Sequence, residues 1–163
     1  MARIRIIAVG KLKEKYWQEA QAEYIKRLRP YMHLELVEIG DFPCPDGVST
    51  RTRGAQEQQV REREGLAIQS LLHSKEYLVT LDRQGKELSS LEFASFIHER
   101  ALSGEPLTFV IGGSLGLSDE FIKKANLNWS FGKLTFPHQL FRVMLLEQIY
   151  RGCKINRGEK YHK

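Results

Sequence analysis

Short apolar runs alternate along this chain with segments of helical periodicity, and few folds accept that pattern. Ile4–Val9, His33–Ile39, Tyr77–Leu81, Leu107–Ile111 and Leu134–Phe136 read as strands, being β-branched or apolar runs too short for helices. Between them, Trp17, Ala20, Tyr24, Ile25 and Leu28 recur at three- and four-residue steps, giving a helix that must stop at Pro30. Residues Ala55–His73 read as a long surface helix, and the Pro- and Gly-rich stretch Gly40–Gly54 before it as a loop. Ser89 and Glu92 form a capping-box pattern that opens a helix through Leu102, and Ser118 with Asp119 and Glu120 starts a short one. Leu140, Phe141, Met144, Leu145, Gln148 and Ile149 place a last helix over Gln139–Cys153. Alternation of this kind predicts one α/β domain over residues 1–163 with a mostly parallel sheet. Ligands of such sheets bind beyond the C-terminal strand ends, which directs attention to the loops after Leu81, after Ile111 and around Phe136.

Composition removes other classes. With 42% hydrophobic and 28% charged residues, the chain is neither disordered nor low-complexity. The first apolar run ends at Gly10-Lys11, too short for a secretory signal, and no run approaches the roughly 20 apolar residues of a membrane span. A soluble, cytoplasmic protein without membrane partners is expected. Cys44 and Cys153 share no CxxC spacing, so neither a disulfide framework nor a cysteine zinc site is expected. Residues 139–163 carry six Lys and Arg against two acids, while the rest of the chain is nearly neutral. A cationic end suits a polyanion such as nucleic acid, with a merely solvated basic tail as the competing reading.

The residues able to carry chemistry are few. Gly112-Gly113-Ser114-Leu115-Gly116 follows a strand and precedes a helix start, where paired glycines let the backbone approach a ligand. Its spacing is not GxGxxG, and a tight turn without ligand is the alternative. P-loop, HExxH, GxSxG and EF-hand patterns are absent, and the five histidines do not pair at metal spacing, so no metal is expected. His138 follows Pro137 at the mouth of the last helix, either starting that helix or touching substrate. Arg142 lies early on an otherwise apolar helix face, either as a snorkelling surface residue or as a charge aimed at a phosphate or partner, and Glu147, out of step with it, tilts the reading slightly towards an external anion. Tyr161-His162-Lys163 ends the chain as aromatic groups among cations, a pattern that stacks on bases unless the tail simply frays.

At these residues the sequence resembles a known family. Leu78–Asp82 with Gly85-Lys86, the run Phe109–Leu117, Leu134–Arg142 and the Tyr161-His162-Lys163 ending look like the bacterial ribosomal RNA large subunit methyltransferase H family, a minimal branch of the SPOUT superfamily. The resemblance spans the whole chain. It implies an α/β fold with a trefoil knot near the C-terminus, a homodimer, and S-adenosyl-L-methionine-dependent methylation of N3 of a pseudouridine in 23S ribosomal RNA. It carries donor binding to Leu81, Gly112, Phe131, Gly132, Lys133, Leu134, Thr135 and Phe136. Leu81 would pack the adenine, and backbone groups of Gly112 and of the 131–136 loop would bond adenine and ribose. Arg142, Tyr161, His162 and Lys163 are the expected RNA contacts, with His138 and Arg142 as catalytic candidates. The proton on N3 has three possible acceptors, His138, Glu147 and Asp82, besides water. A non-catalytic RNA- or ribosome-binding protein with a vestigial nucleoside pocket is the rival reading.

Overall fold

The structure is a computed structural model that describes residues 2–43 and 50–163. Five strands form one sheet: β1 (Ala2–Val9), β2 (Met32–Ile39), β3 (Tyr77–Glu87), β4 (Leu107–Ile111) and β5 (Leu127–Ser130). Their order is β2-β1-β4-β3-β5 and every neighbouring pair is parallel. Central parallel strands are covered on both faces, so they carry continuous apolar runs. β4 is buried along its whole length. β1 divides its residues between the faces, with Ile4, Ile6 and Ala8 in one core and Ile7 and Val9 in the other.

Five helices fill the crossovers: α1 (Lys15–Leu28), α2 (Thr50–Leu71), α3 (Ser90–Ser103), α4 (Asp119–Lys124) and α5 (His138–Asn156). Leu28 of α1, Phe93 and Ile97 of α3, and Leu145, Leu146 and Ile149 of α5 cover one face. Ile68 of α2 and Phe121 of α4 cover the other. The Ser89–Glu92 capping box forms as expected, and Ser118 caps α4 by accepting the Phe121 N–H. α2 starts at Thr50, so Gly54, expected in the preceding loop, is helical. Cys44 lies outside the described residues, whereas Cys153 is a buried free thiol that burial pushes up to about 11.

The last strand differs from the sequence expectation. Residues Leu134–Phe136 are loop, and β5 forms over Leu127–Ser130. Two asparagines explain the difference. The Asn126 side-chain oxygen accepts the Leu78 N–H at 2.7 Å while the Asn126 backbone N–H donates to the Leu78 carbonyl at 2.9 Å, which starts the strand against β3. Asn128 then pairs with the Thr80 hydroxyl, and Trp129 stacks on Phe93 with ring centroids 4.2 Å apart. Tertiary partners thus convert a turn-like Asn-Leu-Asn sequence into an edge strand.

β3 also runs through the expected Asp82–Lys86 turn, with a bulge that leaves Leu81 and Lys86 both opposite Trp129. Residues 82–85 are pushed out of the ladder, the usual consequence of a bulge. Gly85 permits it, since a Cβ there would stand 2.5 Å from the Asn128 carbonyl oxygen. Gly85→Ala is expected to cost ~1–3 kcal/mol by overpacking against backbone, read as a lower denaturant midpoint. An unchanged midpoint would mean that the bulge gives way freely.

Candidate functional site

Three loops converge at the C-terminal ends of β3, β4 and β5 and enclose a cleft of about 770 Å³. That size suits a nucleoside-scale ligand, given that small-molecule sites run from ~300 to ~1,000 Å³. The first wall is the β3 bulge, with Leu81 half-buried at its start. The second is Gly112–Leu117, closed by the Gly116 N–H on the Gly113 carbonyl at 3.0 Å. A Cβ on Gly112 would stand 2.9 Å from the Gly116 carbonyl carbon and 3.1 Å from the Leu117 nitrogen, so glycine is required for the loop to fold back on itself.

The third wall is the connection from β5 to α5. The buried Ser130 hydroxyl accepts the Gly132 N–H at 3.0 Å and lies 3.1 Å from the carbonyl oxygens of Arg83 and Gly132. Arg83 donates to the Thr135 hydroxyl at 2.8 Å, so the bulge and this loop are tied at two points. Phe131 packs against Trp129 and Phe141 at 4.4 and 4.6 Å, giving the cleft an aromatic floor continuous with the core. Of the eight residues that the family resemblance implies for donor binding, Leu81, Gly112, Phe131, Gly132, Leu134, Thr135 and Phe136 line the cleft, whereas Lys133 is exposed and outside it. Sequence reasoning missed Arg61, which reaches the cleft from α2, and Phe141; no local pattern in the sequence marks either residue.

His138, the first residue of α5, lines the same cleft. Its ring rests on Gly10, where a Cβ would lie 3.2 Å from Nε2. Burial pushes the His138 pKa down, and the nearby Arg142 charge adds to that, against weaker opposing pulls from Asp41 and Glu14. Both effects favour the neutral imidazole, the form that can accept a proton. Asp82 also lines the cleft. Glu147 does not: it is held by Arg151 at 2.7 Å, one turn further along α5.

Arg142 corrects the sequence reading. Its side chain is 1% exposed, and its anion is internal: it pairs with Glu38 and donates to the Gly10 carbonyl at 2.8 Å. A phosphate contact would first require that pair to open. The tail is packed rather than frayed. Tyr161 donates to Glu147 at 3.3 Å, its ring meets Tyr150 at 5.0 Å, and the Arg151 guanidinium lies over it at 4.7 Å. His162 and Lys163 are exposed. Tyr150 is twelve residues beyond His138 on α5, or ~18 Å at 1.5 Å per residue, so the tail lies far from the cleft of its own chain. Among the described residues no three His, Cys, Asp or Glu side chains group as a metal site, and no helix is long and apolar enough to cross a membrane.

Fold and cleft together define an α/β domain with a cleft of nucleoside scale across three strand ends, beside a histidine at a helix start. Solved structures share the fold: a probable methylase family protein from Haemophilus influenzae Rd KW20 (TM-score 0.59, 11% identity, 99% of this chain and 71% of that one) and a probable methyltransferase from Bordetella pertussis Tohama I (0.58, 14%, 93% and 95%). Residues 2–162 match the family described as "Predicted SPOUT methyltransferase", and the chain belongs to that family. Curated relatives named ribosomal RNA large subunit methyltransferase H include one from Desulfitobacterium hafniense (strain DSM 10664 / DCB-2), 48% identical over 100% of both chains. Another, from Symbiobacterium thermophilum, is 52% identical over 99% of each.

Proposed function

We propose that the cleft holds S-adenosyl-L-methionine and that the chain, as a cytoplasmic homodimer, methylates N3 of a pseudouridine in 23S ribosomal RNA. The observation that carries this reading is the convergence of seven of the eight residues, implied by resemblance, on one cleft. Curated relatives with about half their residues in common are named for large-subunit ribosomal RNA. The cleft suits the donor chemically: Leu81 and the Phe131 and Phe136 rings offer apolar surface to an adenine, and the paired glycines let backbone groups reach a ribose. The trefoil knot fits a chain that leaves edge strand β5, bonds to the β3 bulge and returns to mid-sheet as α5.

When bound, S-adenosyl-L-methionine supplies an electrophilic methyl on a sulfonium centre. The protein's part is orientation, which can contribute ~7–11 kcal/mol when reacting atoms are held in line. The N3 proton must leave, and the neutral His138 imidazole is the acceptor in the cleft; Asp82 is the other candidate, while Glu147 is engaged by Arg151. Arg61 and Arg83 bring positive charge to the cleft for an RNA backbone. The distance of the tail from its own cleft supports a site in which Tyr161, His162 and Lys163 of one subunit meet the RNA bound at the other.

Calorimetry with S-adenosyl-L-methionine and mass spectrometry of ribosomal RNA from a strain lacking the protein test this reading. Donor binding and one missing methyl group are expected. A protein that binds ribosomes but no donor would be the non-catalytic alternative. Removing Tyr161–Lys163 is expected to lower turnover at saturating donor ~100-fold, the scale of a misplaced substrate, with donor affinity unchanged. Full retained turnover would remove the tail from the mechanism.

A further inference from the structure

A carboxylate buried beneath the cleft is used by none of the steps above. Glu64 projects from α2 and is only 3% exposed, a placement that charged side chains adopt only when they are held. Its Oε1 accepts the Phe42 N–H at 3.4 Å, just beyond β2, and Oε2 has no hydrogen bond. Both oxygens lie 3.1 Å from the place a Cβ on Gly113 would occupy, so the carboxylate sits directly against Gly113 in the second cleft wall. One residue on, Gly65 backs the Ser118 hydroxyl, with 3.5 Å from its Cβ position to Oγ. Residues 64 and 65 thus lie beside Gly113 and Ser118 of the Gly112–Ser118 connection. Burial pushes the Glu64 carboxyl up and nearby Asp41 adds to this, while the Phe42 and Gly113 amides act against it.

We infer that Glu64 is a positioning residue for the methyl donor: it seats the Gly112–Gly116 loop against α2 and the segment after β2, so that the donor meets a preformed wall. It does not line the cleft, so it acts through Gly113 and touches neither donor nor RNA. A buried carboxylate is a costly way to fill that space, since an apolar side chain would pack there without desolvating a charge. What it offers instead is an acceptor that holds the Phe42 N–H while its oxygens lie against Gly113, and loop shape is what a donor that binds through backbone groups requires.

The inference rests on the methyl-donor reading of the cleft, and the wild-type titration separates the two. Absence of donor binding by wild-type protein overturns that reading, whereas wild-type binding with unaffected variants overturns only the role of Glu64. The variants are Glu64→Ala, Glu64→Asp and Glu64→Gln in the full chain, measured for donor Kd by calorimetry, for kcat and both KM values, and for Tm. Glu64→Ala is expected to raise donor Kd and KM ~10-fold, or about 1.4 kcal/mol. kcat at saturating donor and KM for RNA stay within about threefold, because a change confined to donor binding raises the donor KM without lowering kcat. Glu64→Asp, one methylene short of Gly113, shows the same selective loss even if the alanine variant fails to fold. Glu64→Gln keeps an acceptor at both reach and shape and restores donor binding to within about threefold. Donor Kd within twofold of wild type in the alanine and aspartate variants, or kcat and both KM values moving together with Tm, would overturn the assignment.

Discussion

Arg142→Ala is expected to destabilise the protein by ~3–5 kcal/mol, because it leaves Glu38 without its partner at the top of the sheet. In a domain of this size, that is a fall in Tm of roughly 6–20 °C. The guanidinium joins four elements: it stands on α5, pairs with Glu38 of β2, donates to the Gly10 carbonyl after β1, and reaches Gln21 of α1 at 3.4 Å. Burial pulls its pKa down and the Glu38 contact pulls it back up. Removing both charges with apolar residues of similar volume (Arg142→Met with Glu38→Leu) is expected to recover most of the loss, as the desolvation cost then disappears with the pair. Differential scanning calorimetry on the two singles and the double decides this. A single variant that melts within 2 °C of wild type, while losing about one unit of salt dependence in RNA binding, would instead make Arg142 a phosphate contact.

What the sequence made legible follows the range of the forces involved. β1 and β4 were readable because a strand buried on both faces must be apolar throughout. The Ser89 and Ser118 caps were readable because a cap and the amide it satisfies lie three residues apart. The strand-end cleft followed from the parallel alternation itself. β5 was displaced to Leu134–Phe136 in the sequence reading because its stability comes from Leu78, Thr80 and Phe93, all distant in the chain. Arg142 was assigned an external anion because its partner is 104 residues away and only its helical neighbours were visible. Glu64 sits in a stretch dominated by Arg, Glu and Gln, where nothing separates one buried carboxylate from its exposed neighbours. The tail was open between fraying and stacking because Tyr161 is held by Glu147, Tyr150 and Arg151 on another turn of structure.

His138→Gln carries the largest expected effect on turnover. A positioned base contributes ~10²–10⁴-fold, and glutamine occupies similar space without accepting the proton. kcat is therefore expected to fall by that factor, with donor KM little changed and Tm near wild type. The pH profile separates proton transfer from packing. Burial and Arg142 hold the His138 pKa below its ordinary 6.5, which favours the base form at neutral pH. Wild-type kcat should rise with pH through a value under 6.5 and then level off, and the glutamine variant should lose that limb. Stability moves in the same direction. With the native pKa depressed, the unfolded chain binds the extra proton first, so this contribution is fully present above pH 6.5 and is lost as pH falls toward the native value. The variant should show a flatter stability curve over that interval. Retention of the acid limb with unchanged kcat would exclude His138 as the acceptor and pass the role to Asp82, the other titratable cleft residue proposed for it, for which Asp82→Asn is the matching test.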